Sequence, residues 1–233
     1  MISWIFLALA NLTFFSFLKL DGGELKKKQI TEISRLQLSF YLVLFAAYFF
    51  KAIFYNKVNS VLLFFLYSSI IYIFLFFKTY KYYSQLKKYI FNAFRLFIIS
   101  FLAIIFAFAV EQIKPFFYTE TFYYPEFYLS QYRFFIIIIF LCFFPAFLEE
   151  YFYRELIYNK LKNIYNVFFT VVLSSILFYL MHLVFNPYVQ SFFYLIPLGL
   201  ILGYIRTKST TVLPCIIFHF FYNLTIITLD VYI

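Results

Sequence analysis

Only two histidines occur in the 233 residues, and each lies in a strongly apolar stretch, one helical turn from a possible partner. His182 follows Phe178 by four residues, and His219 precedes Asn223 by four. An imidazole can transfer a proton. An imidazole and an amide on one helix face can donate hydrogen bonds to one point, as stabilising an oxyanion requires. The alternative for each pair is a hydrogen bond that packs two helices together.

A carboxylate pair and an arginine stand upstream in an equally apolar region, in the run Glu149-Glu150-Tyr-Phe-Tyr-Arg154. Adjacent helical residues point about 100° apart, so the two carboxylates cannot share a face. Glu150 and Arg154 are four apart and do share one, which favours an ion pair. Glu149 then remains free as the candidate general base. The alternative is a solvated run at a cytoplasmic helix end that serves only to orient the chain.

Other protease sites are excluded by what the sequence lacks. It contains no His-Glu-x-x-His and no Gly-x-Ser, and the only aspartates, Asp21 and Asp230, lie outside the apolar stretches or at their edge. Cys142 and Cys215 lie at helical spacings from the polar residues, and sulfur and imidazole together can bind zinc. Because membrane cysteines more often serve as small packing residues, we predict neither a metal nor a cofactor.

The three motifs in this order, Glu-Glu-x-x-x-Arg, Phe-x-x-x-His and His-x-x-x-Asn, resemble the signature of the CPBP (CAAX protease and bacteriocin-processing) family. Its eukaryotic members are the CAAX-processing prenyl endopeptidases. The resemblance covers the C-terminal half, from about 145 to 223, and implies an intramembrane glutamic endopeptidase. It implies that the first glutamate and first histidine activate water, and that the second histidine and the asparagine hold the oxyanion. The implied catalytic residues are Glu149, His182, His219 and Asn223, supported by Glu150 and Arg154.

One residue departs from that signature. A glycine commonly follows the motif arginine, and Glu155 stands there instead. This adds a charge beside the site and is expected to alter the turn that leaves the helix.

The composition predicts an integral membrane protein, because 65% of the residues are hydrophobic, 12% are charged and the mean hydropathy is +0.89. The net charge of +9 is dispersed between apolar stretches. We therefore expect membrane lipid as a partner, through anionic headgroups, and not nucleic acid. The expected location is the bacterial cell membrane.

Eight apolar stretches predict an all-α, polytopic membrane helix bundle of about eight transmembrane helices. They lie near 2–18, 36–55, 59–77, 89–110, 134–153, 164–185, 190–205 and 211–229. We predict one domain over 1–233, with the motif-bearing core in about 134–229.

Most of the 19 Lys and Arg fall in alternate connections. This pattern predicts that both termini lie outside, and that the active site faces the cytoplasmic side. Counted from the predicted cytoplasmic helix ends, Glu149, His219 and Asn223 lie at similar depths, and His182 lies about 10 Å deeper. A shared site then requires a tilted helix, a later helix start or different spans.

The predicted function is hydrolysis of a peptide bond in a membrane-associated or lipidated peptide or protein. The first alternative is a non-catalytic role in bacteriocin self-immunity, which the resemblance also permits. A transporter would use the same polar residues as an ion path. It would also require paired broken helices, and the sequence shows no internal repeat of that kind.

Overall fold

The computed structural model describes residues 23–54, 93–113, 138–183 and 191–232. These ranges are helical, contain no β-strand and form six helices. The helices are α1 (Glu24–Phe54), α2 (Ala93–Ile113), α3 (138–162), α4 (Val167–His182), α5 (Phe192–Lys208) and α6 (Leu213–Tyr232). The all-α prediction is confirmed over this part of the chain.

The six helices overlap six of the eight predicted spans. The predicted spans 2–18 and 59–77 lie outside the described residues. Within the four described ranges, no helix has both the length and the apolarity needed to cross a membrane. The number of eight spans is therefore not confirmed, and the orientation derived from the basic residues stays a prediction.

Helix α3 changes its winding along its length. It runs as Ile138–Phe143 (π), Phe144–Glu150 (α), Tyr151–Ile157 (π) and Tyr158–Lys162 (α). Pro145 lies two residues after the first π segment, in the interior of α3, where it can donate no backbone hydrogen bond. The π turns before and after that segment change which way successive side chains point, and such turns are frequent at functional sites.

The C-terminal end of α3 corrects the sequence prediction. The span was expected to end at 153, and the helix continues to Lys162. Arg154 and Glu155 are 0% and 7% exposed, so these charged residues are buried against other helices and do not mark a solvated helix end. Glu155 was expected to alter the turn that leaves the helix, but the helix does not end there, and Glu155 lies within the π segment Tyr151–Ile157.

The start of α4 is set by a cap. The Asn166 side-chain oxygen accepts a hydrogen bond from the Phe169 backbone N–H at 3.0 Å, which satisfies one of the free donors of the first turn. The helix consequently begins at Val167, three residues later than predicted. With α3 ending later and α4 beginning later, Glu149 and His182 lie about 20 Å and 22 Å from the connection that joins the two helices. The 10 Å difference in depth predicted between these two residues is wrong for this reason.

Helices α4 and α5 pack closely through two glycines of α5. A Cβ atom on Gly199 would lie 2.9 Å from the Ser175 Cβ, and one on Gly203 would lie 2.8 Å from the Val171 Cγ1. Both distances are shorter than real Cβ contacts, so only glycine permits this approach. Two small residues four positions apart are typical of helices that approach a neighbour this closely.

Two further helices pack against this core. Helix α2 buries Ala103, Ala107 and Val110 at helical spacing and runs along α6. Helix α1 buries Ile30, Ile33 and Gln37, whose spacing of three and four residues places them on one face. The burial of the polar Gln37 is explained by its hydrogen bonds near the candidate site.

Candidate active site

Three helices supply the polar residues that the sequence singled out. Helix α3 contributes both glutamates and the arginine, α4 contributes His182, and α6 contributes His219 and Asn223. Helix α6 packs on α3, and α4 packs on the π segment of α3 that follows the glutamates. Three sequence motifs separated by up to about 70 residues are therefore adjacent in space.

Glu149 points towards α4. Its Oε2 lies 3.7 Å from Nε2 of His182, which is longer than a direct hydrogen bond. At this separation, one water oxygen placed beside the line between the two atoms could lie about 2.8 Å from each. The side chains of Glu149 and His182 are 14% and 23% exposed, but the Glu149 Oε2 atom itself is buried and has no hydrogen-bond partner among the described residues.

The tautomer of His182 follows from its second contact. Nδ1 lies 2.9 Å from the carbonyl oxygen of Phe178, one turn earlier on α4. Because a carbonyl can only accept, Nδ1 carries the proton and donates it. In the neutral imidazole, Nε2 then has a free lone pair directed towards Glu149. The centroid of the Phe178 ring lies 4.3 Å from that of the imidazole. This ring packs against His182 and supports the orientation of the imidazole.

Glu150 points away from Glu149 and towards α6. Its Oε1 lies 3.0 Å from Nδ1 of His219, and its Oε2 lies 3.4 Å from Nε of Arg154. The Glu150 and Arg154 side chains are fully buried, and the His219 side chain is 3% exposed. The expected i, i+4 ion pair is present, and the histidine contact is an addition that the spacing alone did not predict.

Arg154 is buried, and Glu150 is the one carboxylate that pairs with it among the described residues. Its Nη2 donates to the carbonyl oxygen of Gly199 at 3.2 Å, and its Cζ lies 4.7 Å from the centre of the Phe178 ring. The ring face and the carbonyl dipole both favour a cation, and Glu150 supplies the opposite charge. Removing Glu150 would leave this cation buried and uncompensated, which is strongly destabilising.

The Phe178 ring lies close to the side chains of three residues of the site. Its ring contacts the His182 ring, lies 5.9 Å from the His219 ring centroid, and lies under the Arg154 guanidinium. Sequence spacing predicted its support of His182. Its contacts with the other two residues depend on the packing of α3 and α6, which spacing within one helix does not specify.

Asn223 lies one turn beyond His219 on α6. Its Nδ2 donates to the carbonyl oxygen of Leu141 at 3.5 Å, at the long limit for a hydrogen bond. An amide held this weakly can exchange that partner for a more negative oxygen, and such bonds often tighten only when a substrate binds. The predicted pairing of His219 and Asn223 as two donors stays a prediction.

The two cysteines occupy different surroundings. Cys215 lies in the main core and its Sγ donates to the Leu202 carbonyl oxygen at 3.4 Å, and Cys142 packs with Ile227 in a separate small cluster. Among the described residues, no three His, Cys, Asp or Glu side chains are grouped so that they could hold a metal ion. The predicted role of each cysteine as a packing residue agrees with its burial.

Sequence reasoning missed a brace behind the site. Gln37 on α1 donates to the Tyr153 hydroxyl at 3.3 Å and to the Leu177 carbonyl oxygen at 3.3 Å. Tyr153 in turn packs edge-on against Phe178, with ring centroids 5.6 Å apart. The available signal was a glutamine inside the apolar stretch 36–55, because an amide buried there must find partners.

One comparison with known proteins gives a match. The family model described as type II CAAX prenyl endopeptidase Rce1-like matches residues 131–225. Neither the curated proteins nor the solved structures contain a match to the chain. The matched segment contains every polar residue of the site described above and leaves out α1 and α2.

Proposed function

We propose that this chain is an endopeptidase that uses glutamate-activated water. Residues 131–225 belong to the CPBP family of CAAX proteases, and the Rce1-like members of this family are integral membrane proteases. The observation that carries the proposal is the distance of 3.7 Å between Glu149 Oε2 and His182 Nε2. Two acceptors at this separation can take both protons of one water, whose lone pair is then directed away from them.

In the proposed reaction, Glu149 accepts a proton from this water while the oxygen attacks the carbonyl carbon of the peptide bond. A C–O bond forms, and the electrons of the C=O bond move onto the oxygen. Glu149 then returns the proton to the amide nitrogen as the C–N bond breaks, which releases an amine and an acid. His182 orients the water through Nε2.

His219 and Asn223 are the proposed donors to the oxyanion. The contact between His219 Nδ1 and Glu150 sets a condition on this role. If Nδ1 carries the only imidazole proton, Nε2 is an acceptor and cannot stabilise an oxyanion. This role therefore requires a second proton on Nε2, as in an imidazolium, because Glu150 supplies the charge that compensates Arg154.

The proposed substrate is a membrane-associated or lipidated peptide or protein. Apolar surfaces of the described helices can contact lipid. The basic residues of the predicted cytoplasmic connections favour entry from that side of a bacterial cell membrane. Oxyanion donors and a base do not distinguish one side chain of the substrate from another, so the substrate class rests on the family and on the composition.

The test is hydrolysis of a quenched fluorescent peptide carrying a farnesylated cysteine, by the purified protein in lipid vesicles. We expect Glu149→Gln to lower kcat by about a hundredfold or more, because glutamine keeps the volume and removes the base. Glu32→Gln is the matched control, since Glu32 pairs with Lys160 away from the site.

Equal activity of the Glu149 variant and the native protein would remove Glu149 as the base. If the native protein cleaves no peptide and yet protects cells against a bacteriocin, the immunity alternative replaces the proposed function.

A further inference from the structure

Arg206, near the C-terminal end of α5, joins three parts of the chain. Its Nε donates to the carbonyl oxygen of Arg154 at 3.0 Å, and its Nη2 donates to Oε2 of Glu155 at 2.9 Å. Its Nη1 donates to the carbonyl oxygen of Ser209 at 2.9 Å. The first two acceptors lie on α3, and the third lies in the connection from α5 to α6. Because a guanidinium holds its donors in a rigid plane, these bonds fix that connection relative to α3.

Glu155 is the anionic partner of Arg206, and both of its carboxylate oxygens accept hydrogen bonds. Its Oε2 faces Arg206, and its Oε1 accepts a hydrogen bond from Asn159 Nδ2 at 2.9 Å. The Glu155 and Arg206 side chains are 9% and 11% exposed. A charge pair that is this buried and bonded at both carboxylate oxygens resists separation, because separation leaves two charges without compensation.

This pair lies beside the proposed site without touching its reacting groups. The carbonyl that Arg206 binds belongs to Arg154, whose side chain pairs with Glu150. Ser209 is the first residue of the short connection to α6. His219 lies about two turns after the start of α6. The contact of 3.0 Å between His219 and Glu150 depends on where α6 begins relative to α3. A displacement of about 1 Å at such a site can cost about a hundredfold in rate.

We propose that Glu155 and Arg206 are positioning residues that fix the start of α6, and thereby hold His219 against Glu150. This inference rests on the proposed function in that it assigns the pair an effect on the same site. Neither side chain contacts substrate in this scheme. Their effect is expected on the catalytic step and not on substrate binding.

The experiment uses the full-length protein in lipid vesicles and the farnesylated quenched peptide. Glu155→Gln and Arg206→Gln are made singly and together, with Glu32→Gln and Lys160→Gln as controls. The control pair also joins α3 to another helix, through a contact of 2.6 Å, and does not touch α6 or its connection. Each variant is assayed well below its own unfolding temperature, so that lost stability does not lower the measured rate.

We expect each single variant of the pair to lower kcat about tenfold or more, with KM changed less than about twofold. The double variant should be no slower than the slower single variant, because both remove one shared interaction. The control variants should keep the native kcat. Native kcat in Glu155→Gln and Arg206→Gln, or an equal loss in the controls, would overturn the inference.

Arg206→Lys keeps the charge and removes the planar set of donors. It should lose kcat to a similar extent, because one ammonium cannot bind all three acceptors in the same geometry. A native kcat in this variant would show that only the charge of residue 206 matters, which contradicts a positioning role. This variant also decides the inference if Glu155→Gln does not fold.

Hydrogen exchange of residues 209–219 separates this inference from the proposed function. Exchange there should be faster in the pair variants and unchanged in the controls. If the native protein cleaves nothing, the proposed function fails, and faster exchange would still support the placement of α6 by the pair. If the native protein is active and neither kcat nor exchange changes in the pair variants, the positioning inference alone fails.

Discussion

Two adjacent glutamates point in different directions from one helix. Their carboxylates therefore have different partners and different chemistry. Glu149 faces His182 at 3.7 Å, and Glu150 is buried between His219 and Arg154. The same residue type can therefore act as a base at one position and as a structural charge at the next. The contacts of each carboxylate, and not its place in the motif, determine which role it takes.

Glu150→Gln should destabilise the protein, in contrast to Glu149→Gln. It leaves the Arg154 cation buried without a carboxylate, and breaking such a pair costs about 3–5 kcal/mol. We expect a lower unfolding temperature in detergent together with a partial loss of hydrolysis. If both glutamine variants lose all activity at native stability, the proposed division between the two glutamates is wrong.

The cysteines should be dispensable for catalysis. Cys215 lies one turn before His219 on α6 but directs its sulfur to the Leu202 carbonyl, away from a ligand role. We expect Cys215→Ala to keep native kcat and to lose up to a few kcal/mol of stability from the small space it leaves. Elemental analysis of the native protein should show no stoichiometric zinc. One zinc per chain, lost together with activity in Cys215→Ala, would contradict this prediction.

At the scale of helices, the site depends on how closely α4 and α5 approach. Gly199 permits this approach, and its carbonyl oxygen accepts the hydrogen bond from Arg154. One residue therefore sets both a helix spacing and the position of a buried cation. A glycine in an apolar helix marks the close contact in the sequence, but its use as an acceptor has no sequence signature.

Gly199→Ala should push α5 away from α4. The added Cβ would lie 2.9 Å from the Ser175 Cβ, and overpacking of this kind costs about 1–3 kcal/mol. We expect a lower unfolding temperature and lower kcat, since Arg154 loses its place. Gly23→Ala is the matched control, because no atom of the described residues lies within 4 Å of a Cβ at that position. Equal stability of the two variants would show that the α4–α5 contact is more adaptable than proposed.

Spacing within one helix predicted which residues share a face. Contacts between residues of different helices could not be predicted from spacing. The residues four apart in sequence, such as Glu150 and Arg154, could be predicted to share a face, and the three motifs together indicated the family. Glu155 and Arg206 are 51 residues apart, so no periodicity predicts their pairing. The end of α3 was misplaced because buried, paired charges look in a sequence like a solvated helix end. The cap at Asn166 could have corrected the start of α4, since asparagine is a preferred N-cap residue.

At the scale of the whole molecule, the connection between α5 and α6 is predicted to face the cytoplasm. It lies next to Arg206 and Lys208, and Thr210 within it is exposed. In intact cells, Thr210→Cys should not react with a thiol reagent that cannot cross the membrane, and it should react in inverted vesicles. The native cysteines are buried and provide the unlabelled background. Labelling in intact cells would reverse the predicted orientation and the side on which the site opens.

The buried charges of α3 also determine when the site can be completed during synthesis. Glu150 meets Arg154 within its own helix, but its contact with His219 joins residues 69 positions apart. At about 5–20 residues per second, His219 is made some 3–14 s after Glu150. Throughout that interval Glu150 lacks its partner on α6, and Glu155 lacks its partner on α5 until Arg206 is made, 51 positions after it. Helix α6 thus supplies a contact that α3 requires to reach its final environment, so a ribosome that stalls before α6 leaves Glu150 without its contact to His219.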